Sequence, residues 1–260
     1  NPAAFSKIIN GPLIFQNTLI NADILFLLEP DDQERLKKWQ EKNGFLITNH
    51  DNFLKSWIIY RQMDTIKYPR SFSVRSNSKF EFNLKSFSGL TIYKHPVTDL
   101  ILADQYIFKD KELLECNLSA LLESVVEIRP NLNLSIFGSV DNTFEPDPEK
   151  LKILITEFLY KFQDIKIEII LNHTKHPIRE HDRHLITNYF CFKPGDSFTL
   201  FKPNKDLKTK GTAIDIKSLF DTSEMKAVKN TIVNLAYIRE ACSVKSNPLK
   251  INRLFNLINE

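Results

Sequence analysis

The stretch EHDRHLITNYFCFKPGDSF, Glu180 to Phe198, sets two histidines, two carboxylates and an arginine against an apolar run and then turns through Gly-Asp-Ser. Arg183 stays charged at neutral pH, and its planar fork matches two oxygens of one phosphate. Ser197 can offer a hydroxyl to the same group. His181 has the chemistry of a nucleophile or a general base. These residue types allow a phosphate-handling site. They also allow a plain strand with a charged lead-in, where Arg183 pairs with Glu180 or Asp104. His173, His176, His181 and His184 give the H-x-x-H spacing twice. No cysteine joins them, and Pro177 puts the first pair in a turn, so neither a metal nor another cofactor is expected.

Composition narrows the partners less than the motifs do. With 260 residues and 42% hydrophobic content the chain can bury a real core. A net charge of +3 is too small to imply a polyanion by itself. Six glycines and no G-x-G-x-x-G or G-x-x-x-x-G-K exclude the common nucleotide loops. No apolar run reaches membrane-spanning length. Three widely spaced cysteines suit a reducing compartment, so a cytoplasmic location is expected.

Short apolar runs alternate with amphipathic helical segments along most of the chain. Residues 22–29 and 45–49 read as strands, with helices following each. Residues 71–87 alternate on both sides of Ser76 and Asn77, which is a hairpin signal. From Gly89 a new unit begins. Strands are expected over 99–108, 132–139, 165–171 and 184–192, with helices over 111–128 and 146–162. Two more helices follow, near 224–241 and 248–259. The fold class is therefore α/β. A mainly parallel sheet with helices on both faces is preceded by a smaller β-α-β-α region with a β-hairpin. The division falls at 1–88 and 89–260.

Four features of the second part occur in a familiar order. A strand ends in Asp104, Tyr106 and Ile107, and Asn117 follows in the next helix. His181, Asp182 and Arg183 come after a further strand and helix, and Gly195 precedes Phe201 by six positions. In this order and spacing, residues 89–220 resemble the phospholipase-D-like domain at the carboxy terminus of proteins that carry a microtubule-interacting-and-trafficking domain. The first 88 residues do not resemble that helical bundle, so the trafficking role is not carried over. Active phospholipase-D-like enzymes use H-x-K-x-x-x-x-D, and the resemblance puts His181, Arg183 and Asn188 at those positions. It implies His181 as nucleophile and Arg183 as phosphate clamp. Asn188 replaces an aspartate; it can orient an imidazole but cannot stabilise its charged form.

The expected ligand-binding set is Asp104, Tyr106, Asp182, Arg183, Ser197 and Lys202. Asp104 and Tyr106 close a strand at its carboxyl end, the edge that faces the ligand crevice in open α/β sheets. Lys202 begins a basic loop with Lys205, Lys208 and Lys210. Weaker readings concern the first part. FLITNHDNFLKSW is similar to the strand end of PIN-type nucleases, but the further acids that chemistry needs are not evident. Phe72, Phe80 and Phe82 could stack bases or simply pack in a core.

The leading expectation is a degenerate phospholipase-D-like site that binds a phosphate-bearing ligand, either nucleic acid or an anionic lipid head group. One alternative is a metal-independent phosphodiesterase or nuclease, acting as a dimer with His181 as nucleophile. Another is a structural or oligomerising module with a relic site. One histidine motif per chain means that the enzyme reading needs a homodimer, or a second histidine such as His184 or His95. We predict a two-fold dimer that joins the surfaces around His181. Light scattering at micromolar concentration checks this, and a strict monomer would argue against the two-histidine enzyme.

Overall fold

In the computed structural model the described residues are 34, 38, 70–74, 97–126, 132–140, 148–173, 183–204, 212–219, 222–242, 244–246 and 252–255. The expected elements over 22–29 and 45–63 and the second arm of the hairpin lie outside them. Of the helix expected over 31–44, Glu34 and Lys38 are helical and pair at i, i+4. Of the helix over 248–259, a short helical turn at 253–255 is described.

The strands are β1 (Arg70–Val74), β2 (Asp99–Ala103), β3 (Asn133–Val140), β4 (Lys166–His173), β5 (His184–Thr187), β6 (Phe190–Pro194), β7 (Thr212–Ser218) and β8 (Val244–Ser246). They form one sheet in the order β1-β7-β6-β5-β2-β3-β4-β8. The expected α/β class is observed. Its parallel part is the trio β2, β3 and β4. The strands on either side of that trio run antiparallel to their neighbours. β1 lies before the division expected near residue 89, yet it pairs with β7 and so belongs to this sheet.

Helices cover both faces because the strands are apolar on both. Leu100, Leu102, Leu134, Ile136, Ile167, Ile169 and Leu185 join one core cluster, while Ile101, Ala103, Phe137, Ile170 and Ile186 join the other. This is the period-2 alternation of strands with a core on each side. On the first face lie α1 and α2. Helix α1 runs over 111–126 and contains a π-helical stretch, Leu114–Ser119. Asp110 caps it, its carboxylate accepting from Leu113 N at 2.7 Å. Helix α2 (Pro148–Lys161) starts on proline and buries Leu151, Leu154, Ile155 and Phe158, one stripe at i, i+3, i+4 and i+7. Each such side chain contributes about 1.5–3 kcal/mol relative to exposure. On the second face α3 (Thr222–Ala241) buries Val228, Ile232 and Leu235. Lys217 of β7 ties its first turn through Glu224 at 2.6 Å.

The 184–192 segment is not one strand, as expected from its composition, but a hairpin. Leu185 pairs with Phe192 and Ile186 with Cys191, which leaves Asn188 and Tyr189 as a two-residue turn. The Thr187 hydroxyl accepts from Tyr189 N at 3.0 Å and Phe190 N at 2.9 Å. That side-chain capping reverses the chain without glycine or proline.

Gly138 in β3 makes room for Phe108. A Cβ there would sit 2.5 Å from the Phe108 ring, which itself stacks edge-on against Phe158 at 6.5 Å. Gly138→Ala is predicted to destabilise the fold by about 1–3 kcal/mol through overpacking. Urea denaturation of Gly138→Ala, Phe108→Leu and the double variant checks it. The double variant should recover part of the loss, and a neutral Gly138→Ala would refute the close approach.

Candidate functional site

β5 runs antiparallel to β2, with His184 opposite Ala103. Arg183 and Asp104, each next in line, therefore meet at the carboxyl edge of the parallel trio. The turn after β6 comes to the same place, since β6 ends at Pro194 beside the start of β5. Asp104, Tyr106, Arg183 and the 195–198 turn are thus brought together.

The Asp104 carboxylate is fully buried and accepts from three donors on two pieces of chain. They are Tyr106 N at 2.9 Å, Ser197 Oγ at 2.6 Å and Phe198 N at 2.7 Å. Burial raises its pKa above the ordinary 3.8, while the Ser197, Tyr106 and Phe198 hydrogen bonds and the Arg183 charge pull the other way. The Ser197 hydroxyl also accepts from Thr199 N at 3.1 Å and Thr199 Oγ1 at 3.0 Å. Ser197 is therefore buried and its hydroxyl is committed to internal partners, which does not match the expectation that it serves a phosphate.

Asn117 performs the matching task on the next residues. Its carbonyl accepts from Phe201 N at 2.8 Å, and its amide donates to Phe201 O at 3.0 Å and to Leu113 O at 3.0 Å. The side chain mimics a strand partner for Phe201. It sits in the π-helical stretch, where the widened turn leaves the Leu113 carbonyl to be shared. The motif residues Asp104, Asn117, Ser197 and Phe201 thus form one internal clamp on the 197–201 segment.

Arg183 lies over the Tyr106 ring at 4.9 Å from its centroid. Its Nη1 donates to the Asp196 backbone carbonyl and lies 3.4 Å from the Asp196 carboxylate. Its Nε is buried and has no hydrogen-bond partner among the described residues. Lys202 is half-buried and follows the clamped Phe201, but no hydrogen bond or ion pair brings it to Arg183 among the described residues.

His181 and Asp182 lie outside the described residues. Asn188 does not fit the expected catalytic role. It is the hairpin turn residue at the far end of β5, and five residues at strand rise put it about 16 Å from Arg183. Its carbonyl instead accepts from Thr98 N at 3.2 Å. His184 is buried and shares strand parity with Ile186 on the α3 face, opposite the face of Leu185. It does not supply a second imidazole on the Tyr106 side. His95, the other candidate, lies outside the described residues, as do His176 and the side chain of His173. No cluster of three or more metal-ligating side chains occurs among the described residues. None of their helices is long and apolar enough to cross a membrane.

No family model matches the sequence, and no curated protein does. Among solved structures, the chain is similar to phosphatidylserine synthase of Haemophilus influenzae Rd KW20, with a TM-score of 0.42 and 11% identity. The match covers 81% of this chain and 53% of that one, so this chain spans about half of that protein's length.

The raised pKa of Asp104 has a definite sign in stability. The folded state holds this proton more tightly than the unfolded chain does. Its contribution is complete below the unfolded value near 3.8 and is lost as pH rises through the folded value. Asp104→Asn removes that titration and turns an amide N–H toward one of the three donors. We predict a loss of about 1–3 kcal/mol, with the gap between parent and variant narrowing as pH rises through this window. Urea denaturation across pH 3.5–8 checks both, and a gap that widens with pH would contradict the sign.

Proposed function

We propose that the chain binds a phosphate-bearing ligand through Arg183, at a phospholipase-D-like edge that is not organised for turnover. The observation that carries this reading is the guanidinium itself. It is buried, stacked on Tyr106, and has an Nε without a hydrogen-bond partner among the described residues. Burying an arginine nitrogen with no acceptor is costly, and an oxyanion is the acceptor that a guanidinium fits best. Tyr106 steadies the cation. Asp104 acts one step away, as a positioning residue for both Tyr106 and the 195–198 turn. His181 and Asp182 precede Arg183 directly in the chain, and His181 is the group on which turnover would depend. Nucleic acid and anionic lipid head groups both present the required oxygens.

A structural role is the second reading. It is favoured by the closed hydrogen bonding of Asp104, Ser197 and Asn117, which leaves those residues nothing to offer a ligand.

Arg183→Ala is predicted to weaken ligand binding about tenfold to a hundredfold, the equivalent of about 1.5–3 kcal/mol for a charged hydrogen-bond partner. His181→Ala should weaken it less, since a neutral imidazole makes at most one such bond. Both variants are titrated with a short oligonucleotide and with anionic vesicles, and assayed for phosphodiester cleavage. Unchanged binding in Arg183→Ala would leave the structural reading. Cleavage by the parent protein that disappears in His181→Ala would establish the enzyme instead.

A further inference from the structure

Three arginines with described side chains face carboxylates, and one pair differs from the other two. Arg239 meets Glu168 at 2.7 Å and Arg253 meets Asp99 at 2.7 Å. Both contacts have the length of a charge-assisted bond, and both carboxylates are largely buried. Arg183 is 3.4 Å from the Asp196 carboxylate, too long for such a bond, and the exposures of the two side chains are 10% and 72%. The cation is fixed and the anion stands in water.

The Asp196 backbone is anchored independently of its side chain. Gly195 N donates to Ala213 O at 2.8 Å, Asp104 holds Ser197 and Phe198, and the Asp196 carbonyl accepts from Arg183. Rotation about χ1 would carry the carboxylate away and leave the turn in place. Such a rotation at an exposed residue is fast and nearly free.

Resting on the phosphate-binding reading, we propose that the Asp196 carboxylate is a placeholder for the ligand's oxyanion. It screens the Arg183 charge when the site is empty and gives way when an anion arrives. Asp196 therefore sets the affinity of the site by competing with the ligand. It contributes nothing to the ligand's own contacts. The two residues should act in opposite directions, because removing Arg183 removes the acceptor's partner and removing Asp196 removes its rival. A pair this long, with its carboxylate in water, is a weak competitor, so the expected gain is about two- to fivefold.

The experiment titrates the parent chain, Asp196→Asn and Arg183→Ala with inorganic phosphate by calorimetry, after circular dichroism has shown that each is folded. Asparagine keeps the size of the side chain and removes only its charge. The expected result is binding about two- to fivefold tighter in Asp196→Asn and loss of binding in Arg183→Ala. Unchanged or weaker binding in Asp196→Asn together with loss in Arg183→Ala overturns the placeholder and leaves the phosphate site standing. Equal binding in Arg183→Ala and the parent, or no binding in any of the three, overturns both. Asp196→Ala repeats the test with the side chain shortened, and a loss of affinity there would likewise count against the competition.

Discussion

A carboxylate taken out of water has to be surrounded by donors, and Asp104 meets that constraint by drawing separate pieces of chain around itself. It ends a central strand, turns the backbone at Tyr106, and holds the segment after β6 by a hydroxyl and an amide. The Tyr106 ring and the Asp196 carbonyl then become two sides of a seat for one guanidinium. Asn117 does with a neutral amide what Asp104 does with a charge, and fixes the next residues against α1. The edge is therefore organised from within, by groups that are themselves inaccessible.

The opposite end of the parallel trio is organised by the same means for a different purpose. Asp99 accepts from Thr98, from Asn133, and from both the backbone and the side chain of Arg253. Asn252 adds a bond to Leu100 O at 2.8 Å. Leu254 and Phe255 are thereby held in the α3-side core. Buried pairs of this kind seldom contribute much net stability, because desolvation offsets attraction, but breaking one partner is expensive. They fix where a segment docks. The carboxyl edge ends in an arginine without such a match, and that contrast sets the two ends apart chemically.

Much of the scaffold was legible because local pattern and burial agree. The i, i+3, i+4, i+7 stripe of α2 and the largely apolar runs of β2 to β4 each report a face that is in fact covered. The hairpin at 188–189 was not legible, because its turn is made by the Thr187 hydroxyl and no glycine or proline marks it. β7 is not among the expected strands, although Ile214 and Ile216 alternate with Asp215 and Lys217; this period-2 signal is short and adjoins a lysine-rich stretch. At the site, the residue types were visible but not their use. Asp104 and Ser197 are far apart in sequence and nothing local shows that each satisfies the other. The resemblance gave Asn188 a catalytic expectation, whereas its position in the turn sets its role.

Among the described residues, the strands at the two ends of the sheet pair with partners distant in the chain. β1 pairs with β7, roughly 140 residues later, and β8, which pairs with β4, follows it in the chain beyond α3. During synthesis at about 5–20 residues per second, β1 would wait on the order of 10–30 s for its neighbour to emerge. Throughout that interval its amide and carbonyl groups lack their eventual β7 partners, and an uncovered strand edge invites pairing with other chains. A topology with this much non-local pairing is slow to close. The pace of translation between β1 and β7 therefore sets how long β1 goes without this partner.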